Sequence, residues 1–219
     1  MISILHLYPR ELGINGDVGN VLALTKRAQW RGVDVSVHNH DVGDELPDEV
    51  HVVHIGSGPA SGVDLVRSDL ARIAPRLREW ADEGVPFLAV AAGWQLLGRT
   101  FTAENGELVD GAGVLPTDAR ARDNRVVREV WRDGVAGFEN HGVSFTTDGV
   151  AAEWPVARFG SSLATTLHGP FLPMNPAFAD DVLTVAADLS GDVLGQPEPA
   201  LAEVDERARL SREAVRSRV

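Results

Sequence analysis

The sequence predicts an α/β fold, a three-layer sandwich around a mostly parallel sheet, and three observations carry that prediction. Short apolar runs that suit buried strands alternate with longer segments of helical period. Strands separated by helices of those lengths join in parallel through right-handed crossovers. The run Phe87-Leu88-Ala89-Val90 then passes straight into Ala91-Ala92-Gly93, a strand-to-helix turn so sharp that only small residues fit.

Each element follows from local pattern. Residues 2–7 are short and apolar, as a central strand should be. A loop rich in Pro and Gly leads to Asp17, which stands where a helix N-cap belongs. Val18, Val21, Leu22, Leu24 and Ala28 mark one face of that helix, which ends near Gly32. Residues 33–38 alternate and read as a strand nearer an edge. Residues 50–55 make another strand, ending in Gly56-Ser57-Gly58-Pro59, and a helix over about 65–83 precedes the elbow strand. Beyond the elbow helix the spacing shortens. Strands are predicted at 111–115, 125–131, 137–138, 143–145 and 163–167, followed by a helix within 173–188. Pro197-Glu198-Pro199 closes a domain of residues 1–196 and leaves 197–219 as a helical tail. Glu203–Arg207 and Asp205–Arg209 lie at i,i+4 spacing there, and the thin apolar stripe suits either a partner or the domain's own surface.

Composition narrows the function. A chain of 219 residues, 44% hydrophobic, is long enough for one sizeable core. A net charge of −12 argues against nucleic acid or an anionic membrane as partner. No apolar run approaches the ~20 residues of a membrane helix, and no signal-peptide pattern opens the chain, so a cytoplasmic location is expected. Cysteine is absent, which excludes disulfides, thiolate metal sites and thiol catalysis by this chain.

The elbow is the candidate site. Such a turn exposes one side chain at the carboxyl edge of a sheet, with the next N–H aimed at the same spot, where a nucleophile and half an oxyanion hole would sit. Here the tip is Ala91, without a reactive atom, and the N–H is that of Ala92. His168, after a predicted strand and pinned by Gly169-Pro170, is the best polar candidate, although a lone His is more often satisfied inside a loop. Gly56, Ser57 and Gly58 end a strand and let backbone N–H groups approach a carbonyl; taken alone, the same residues describe a tight turn.

The elbow, Gly16-Asp17-Val18-Gly19-Asn20, Gly137-Phe138-Glu139-Asn140-His141-Gly142 and Leu167-His168-Gly169-Pro170-Phe171-Leu172-Pro173 together resemble the triad-type (class I) glutamine amidotransferases. The similarity is to the branch of GatD subunits of lipid II isoglutaminyl synthase and cobyric-acid-synthase-like proteins. In that family the position of Ala91 holds Cys, which attacks the side-chain amide of glutamine, and the position of His168 holds its general base. The resemblance implies that Gly56, Ser57 and Gly58 belong to the oxyanion loop. It further places Gln95 close to bound glutamine, gives Arg125 to the α-carboxylate, and turns Asn140 and His141 toward the amino-acid end. Ordinary surface or strand roles for Gln95 and Arg125 remain open, and Glu139 is a candidate orienter of His168. The implied partner is a MurT-like Mur ligase subunit that uses ammonia and ATP; no metal or cofactor is expected in this chain.

Three departures cluster at the same place. Ala91 replaces the nucleophile, Pro59 removes one backbone donor from the oxyanion loop, and residues 160–167 form a shorter connection than in the relatives. Two readings follow: an amidotransferase subunit unable to hydrolyse glutamine, or a binding or scaffold subunit on the same fold. An unrelated doubly wound ligand-binding domain is disfavoured, because no Gly-x-Gly-x-x-Gly follows the first strand.

Overall fold

The computed structural model covers the full chain and describes residues 1–152, 154–168 and 170–219. The chain runs through β1 (Ile2–Leu7), α1 (Val18–Gln29), β2 (Val35–His40), β3 (Val52–Ile55), α2 (Ala60–Asp82), β4 (Phe87–Val90) and α3 (Ala92–Leu97). Then come β5 (Thr100–Thr102), β6 (Leu108–Asp110), β7 (Thr117–Arg132), β8 (Val135–Thr147), β9 (Val150–Ala151), β10 (Val156–Phe159), β11 (Ser162–Thr165) and β12 (Leu167–His168). It finishes with α4 (Phe171–Met174), α5 (Pro176–Ser190) and α6 (Pro199–Arg216).

The main sheet has the order β10-β11-β4-β3-β1-β2, parallel at every pairing except β10–β11. β1, β3, β4 and β11 are buried at every residue. β2 lies at the edge as expected, but it runs over Val35–His40 and is half-buried or exposed up to a buried His40, without the alternation predicted for residues 33–38. The pleat divides the core in two. Leu5, Val53, Phe87 and Ala89 pack with Leu70, Ile73, Leu77 and Trp80 of α2 on one face. Ile2, Ile4, Val52 and Leu88 pack with Leu24 and Ala28 of α1 and Val182 and Leu183 of α5 on the other. Those are the three layers.

A second sheet, β12-β8-β7-β5-β6 with β9 beside β8, was not legible as one unit. The short strands predicted at 125–131, 137–138 and 143–145 are parts of the long β7–β8 hairpin. Asp133 and Gly134 both have positive φ (52° and 81°), the two-residue turn that matches strand twist. The strand predicted at 111–115 is instead a loop tied to α3, with the Ala112 and Val114 N–H groups donating to Leu96 and Leu97 carbonyls. α2 starts earlier than expected, because Pro59 has the φ of −68° that leads directly into a helix.

The predicted strand 163–167 also splits. β11 pairs with β4, Thr166 intervenes, and β12 pairs antiparallel with β8, so the chain changes sheets one residue before the Leu167-His168 pair. In α1, Val21, Leu24 and Ala28 are buried, but Val18 and Leu22 are exposed. The tail helix α6 lies against α4, β7 and β8 of this chain. Arg218 pairs with Glu129, and the Arg216 guanidinium sits 4.9 Å from the Trp131 ring centroid. Glu203–Arg207 is present, at 4.0 Å. The expected Asp205–Arg209 pair is not: Asp205 goes to Arg27, and Arg209 to Glu206 and Glu213. No helix among the described residues is long and apolar enough to cross a membrane.

Candidate active site

β4 delivers Ala91 with φ 44° and ψ −97°, and α3 begins at the next residue. A residue bearing a Cβ in that region carries roughly 1–3 kcal/mol of strain, which surrounding contacts must offset. The Ala91 N–H donates to the Thr165 carbonyl at 2.8 Å, fixing the tip to β11. A Cβ on Gly93 would lie 2.5 Å from the Ile55 carbonyl oxygen and 2.7 Å from that of Gly56, so α3 can meet the end of β3 only through glycine. Trp94 then locks α3 onto the second sheet. Its indole N–H donates to Thr117 Oγ1 at 3.1 Å, and its ring stacks on Phe145 at 3.9 Å. Packing alone accounts for the elbow's shape.

The other half of the site comes from α1 and β12. Asp17, expected as an N-cap, has helical backbone angles and makes no capping bond. Its carboxylate is fully buried and turned inward. Oδ1 accepts the Nδ1–H of His168 at 3.1 Å, and Oδ2 accepts the Ser57 N–H at 3.0 Å. A carboxylate without a proton can only accept, so the His168 proton sits on Nδ1. Nε2 is left as a bare lone pair, buried and without a hydrogen-bond partner among the described residues. This is how a general base is held.

Asp17, rather than Glu139, therefore orients His168. Glu139 accepts from His141 Nε2 at 3.1 Å, Thr166 Oγ1 at 2.8 Å and Arg128 Nε at 2.7 Å. Burial pushes its carboxyl up, but these three donors outweigh that and hold its pKa at about 2. The contact that sequence reasoning missed runs between two motifs it had singled out separately. Asp17 meets His168, a Cβ on Gly19 would come within 2.6 Å of Pro170 Cγ, and Asn20 Oδ1 accepts the Leu172 N–H at 2.8 Å. The spacing of small and amide residues in Gly16-Asp17-Val18-Gly19-Asn20 is the signal from which such a packing face could have been read. Gly169 lies outside the described residues.

Two buried histidines stand behind this pair. His54 lies with Nε2 3.2 Å from the Asp17 carbonyl and Nδ1 3.0 Å from that of Leu88, and the His6 ring is 5.1 Å away. Burial holds both rings neutral; His6, with His54 beside it, is pushed down to about 3.

In front of the elbow opens a cavity of about 290 Å³. It is lined by Ser57, Gly58, Ala91, Ala92, Gln95, Arg125, Asn140 and His141, all candidates named from sequence. Gly56 and His168, the remaining two, are not in its lining; His168 is almost fully buried. Arg125 lies where the β7–β8 register shifts, between Ala121 and Val126. Its Nε donates to Asn140 Oδ1 at 2.7 Å, and a terminal nitrogen donates to the Asn140 carbonyl at 3.2 Å. His141 is pinned between Glu139 and the Val143 carbonyl. Asp64 and Glu104 also reach the cavity. One guanidinium and two carboxylates in the lining of so small a space suit a zwitterionic ligand.

Residues 3–176 match the family model of the CobB/CobQ-like glutamine amidotransferase domain. The chain belongs to that family. Among curated relatives, this chain is 27% identical to the GatD subunit of the glutamine-hydrolyzing lipid II isoglutaminyl synthase of Staphylococcus aureus, over 98% of this chain and 94% of the relative. It is 26% identical to the GatD subunit from Streptococcus pneumoniae, over 84% and 80% respectively. A solved crystal structure of a glutamine amidotransferase superposes with a TM-score of 0.52 at 16% identity, covering 84% of this chain and 98% of the other. That last likeness bears on the fold, which is the α/β sandwich with mixed, mostly parallel pairing in its main sheet.

Proposed function

We propose that this chain is a GatD-like subunit whose pocket binds glutamine without hydrolysing it, and which engages a MurT-like Mur ligase subunit. The observation that carries the reading is Ala91: the strained backbone of a nucleophile elbow, with a methyl group at its tip. In this reading Arg125, steadied by Asn140, meets the α-carboxylate of the ligand. Asp64 and Glu104 offset its ammonium, His141 borders the same amino-acid end, and Gln95 lies close to the bound side chain. His168 has its lone pair on Nε2, but no thiol stands at position 91 to receive the action of that base. In relatives able to hydrolyse glutamine, ammonia would pass to a ligase that amidates the D-glutamate of lipid II; here the ammonia must come from elsewhere, or the subunit serves as a scaffold. Pro59 and the shorter connection over residues 160–167 favour natural loss of the activity over a single engineered replacement of the nucleophile.

Titration calorimetry with glutamine, paired with an ammonia-release assay, tests the proposal. Glutamine should bind while ammonia stays at the uncatalysed rate, since removing a nucleophile forfeits on the order of 10⁶-fold in the hydrolase precedent. Arg125→Ala should weaken binding by about tenfold or more, the loss of a charge-assisted carboxylate contact. Robust turnover that disappears in His168→Ala would sink the proposal.

A further inference from the structure

Losing the thiol is one way to silence the elbow, and the oxyanion loop carries a second. The Ala92 N–H is the elbow's own donor to a developing oxyanion. In the structure it donates to Ser57 Oγ at 3.4 Å. Ser57 is nearly buried, and its N–H is held by Asp17, so the backbone that aims the hydroxyl is itself anchored. Its neighbours admit no side chain at all: a Cβ on Gly56 would lie 2.3 Å from the Leu12 carbonyl oxygen, and one on Gly58 2.2 Å from that of Glu11. Position 57 is thus the place in this turn where a side chain fits, and the one present reaches the donor.

We infer that Ser57 is a specificity-determining residue that fills the oxyanion position, so that the pocket accepts a planar amide and rejects a tetrahedral adduct. An oxyanion needs to sit about 2.7–3.1 Å from its donors. An oxygen on the line of the Ala92 N–H at that distance would overlap Ser57 Oγ, so the hydroxyl must leave before any adduct forms. The inference rests on the amidotransferase reading of the pocket. It adds that restoring sulfur alone is insufficient, because a second obstruction, independent of Ala91, stands in the same place.

The test compares Ala91→Cys with Ala91→Cys/Ser57→Gly and Ala91→Cys/Ser57→Ala by ammonia release from glutamine. Either double variant should exceed Ala91→Cys by tenfold or more in kcat/KM; a smaller gain in both, with the introduced thiol reactive toward a glutamine-derived alkylating agent, overturns the inference. Ser57→Ala in the otherwise unchanged chain gives a readout free of activity. Hydrogen exchange at the Ala92 amide, followed by NMR, should quicken by tenfold or more, and an unchanged rate also overturns it. Alkylation of the thiol introduced by Ala91→Cys, using a glutamine-derived chloromethyl ketone, separates the two levels of argument. If none of the three thiol-bearing variants is alkylated, the amino-acid-pocket reading fails, and the Ala92 exchange rate alone decides whether Ser57 occupies the donor.

Discussion

Outside the lining of the cavity, His168 and Asp17 form a buried pair in which the carboxylate accepts the ring's Nδ1–H and leaves Nε2 without a partner among the described residues. Within the lining, Ala91 holds a strained backbone with a methyl group at its tip, and the adjacent donor is taken by Ser57. On the proposed reading, His168 and Asp17 are the base side and Ala91 is the nucleophile side, which lacks its reactive atom. The difference lies in what each side also does for the fold. Asp17 joins α1, the loop after β3 and β12 through its two oxygens, so changing it would loosen three segments at once. The atom that a nucleophile supplies serves chemistry alone; the elbow around it is shaped by Gly93, Trp94 and the Ala91–Thr165 hydrogen bond. The elbow therefore keeps its form with no reactive atom at its tip.

That contrast can be broken by mutation. Asp17→Ala should have the largest effect, about 3 kcal/mol of lost stability by chemical denaturation, because it strands the Nδ1–H of His168 and the N–H of Ser57 in the interior. Asp17→Asn should recover part of that loss, since its amide oxygen accepts from one of the two donors. If Asp17→Ala costs less than about 1 kcal/mol, the low end for stranding a buried donor, the base side is no better built into the fold than the nucleophile side.

Acid should act on the same side next. His6 is neutral in the folded chain, with a pKa of about 3, while the unfolded ring takes up a proton below its ordinary 6.5. Protons thus favour the unfolded chain. The stabilisation from this residue is fully present above pH 6.5 and is lost progressively as pH falls toward 3. At about pH 5 the loss is about 2 kcal/mol, read as a falling unfolding midpoint, and His6→Asn should flatten that dependence.

The smallest effect should run the other way, on the nucleophile side. Ala91→Gly relieves a positive-φ strain of roughly 1–3 kcal/mol and gives back about 0.5–1 kcal/mol in backbone entropy. A net gain of about 1 kcal/mol in a denaturation series is expected. A loss would mean that the Ala91 methyl makes contacts worth more than the strain it carries.

Much of this was legible in the chain. Apolar runs such as residues 52–55 and 87–90 must be buried on both faces, and that necessity specifies a parallel sheet with helices on either side. The small residues at 91–93 announce a tight elbow, because a side chain on Gly93 would strike the backbone of β3. The β7–β8 hairpin was harder to read. Its glycines at 137 and 142 look like turns locally, and Gly137 is in fact needed because a Cβ would lie 2.8 Å from Leu167 Cβ.

The sequence by itself determined which side chains exist: no thiol anywhere, Ala at the tip of the elbow, a serine between two glycines, and an Arg and an Asn with the chemistry to hold a carboxylate. Tertiary structure alone decided which of them act together. Asp17 and His168 are 151 positions apart, and no local periodicity relates them. They meet because the chain leaves the main sheet at Thr166 and lays its next residues along the start of α1. Hydrogen-bond partners are chosen by the burial of whole elements, a property of the packed chain and not of any stretch of it.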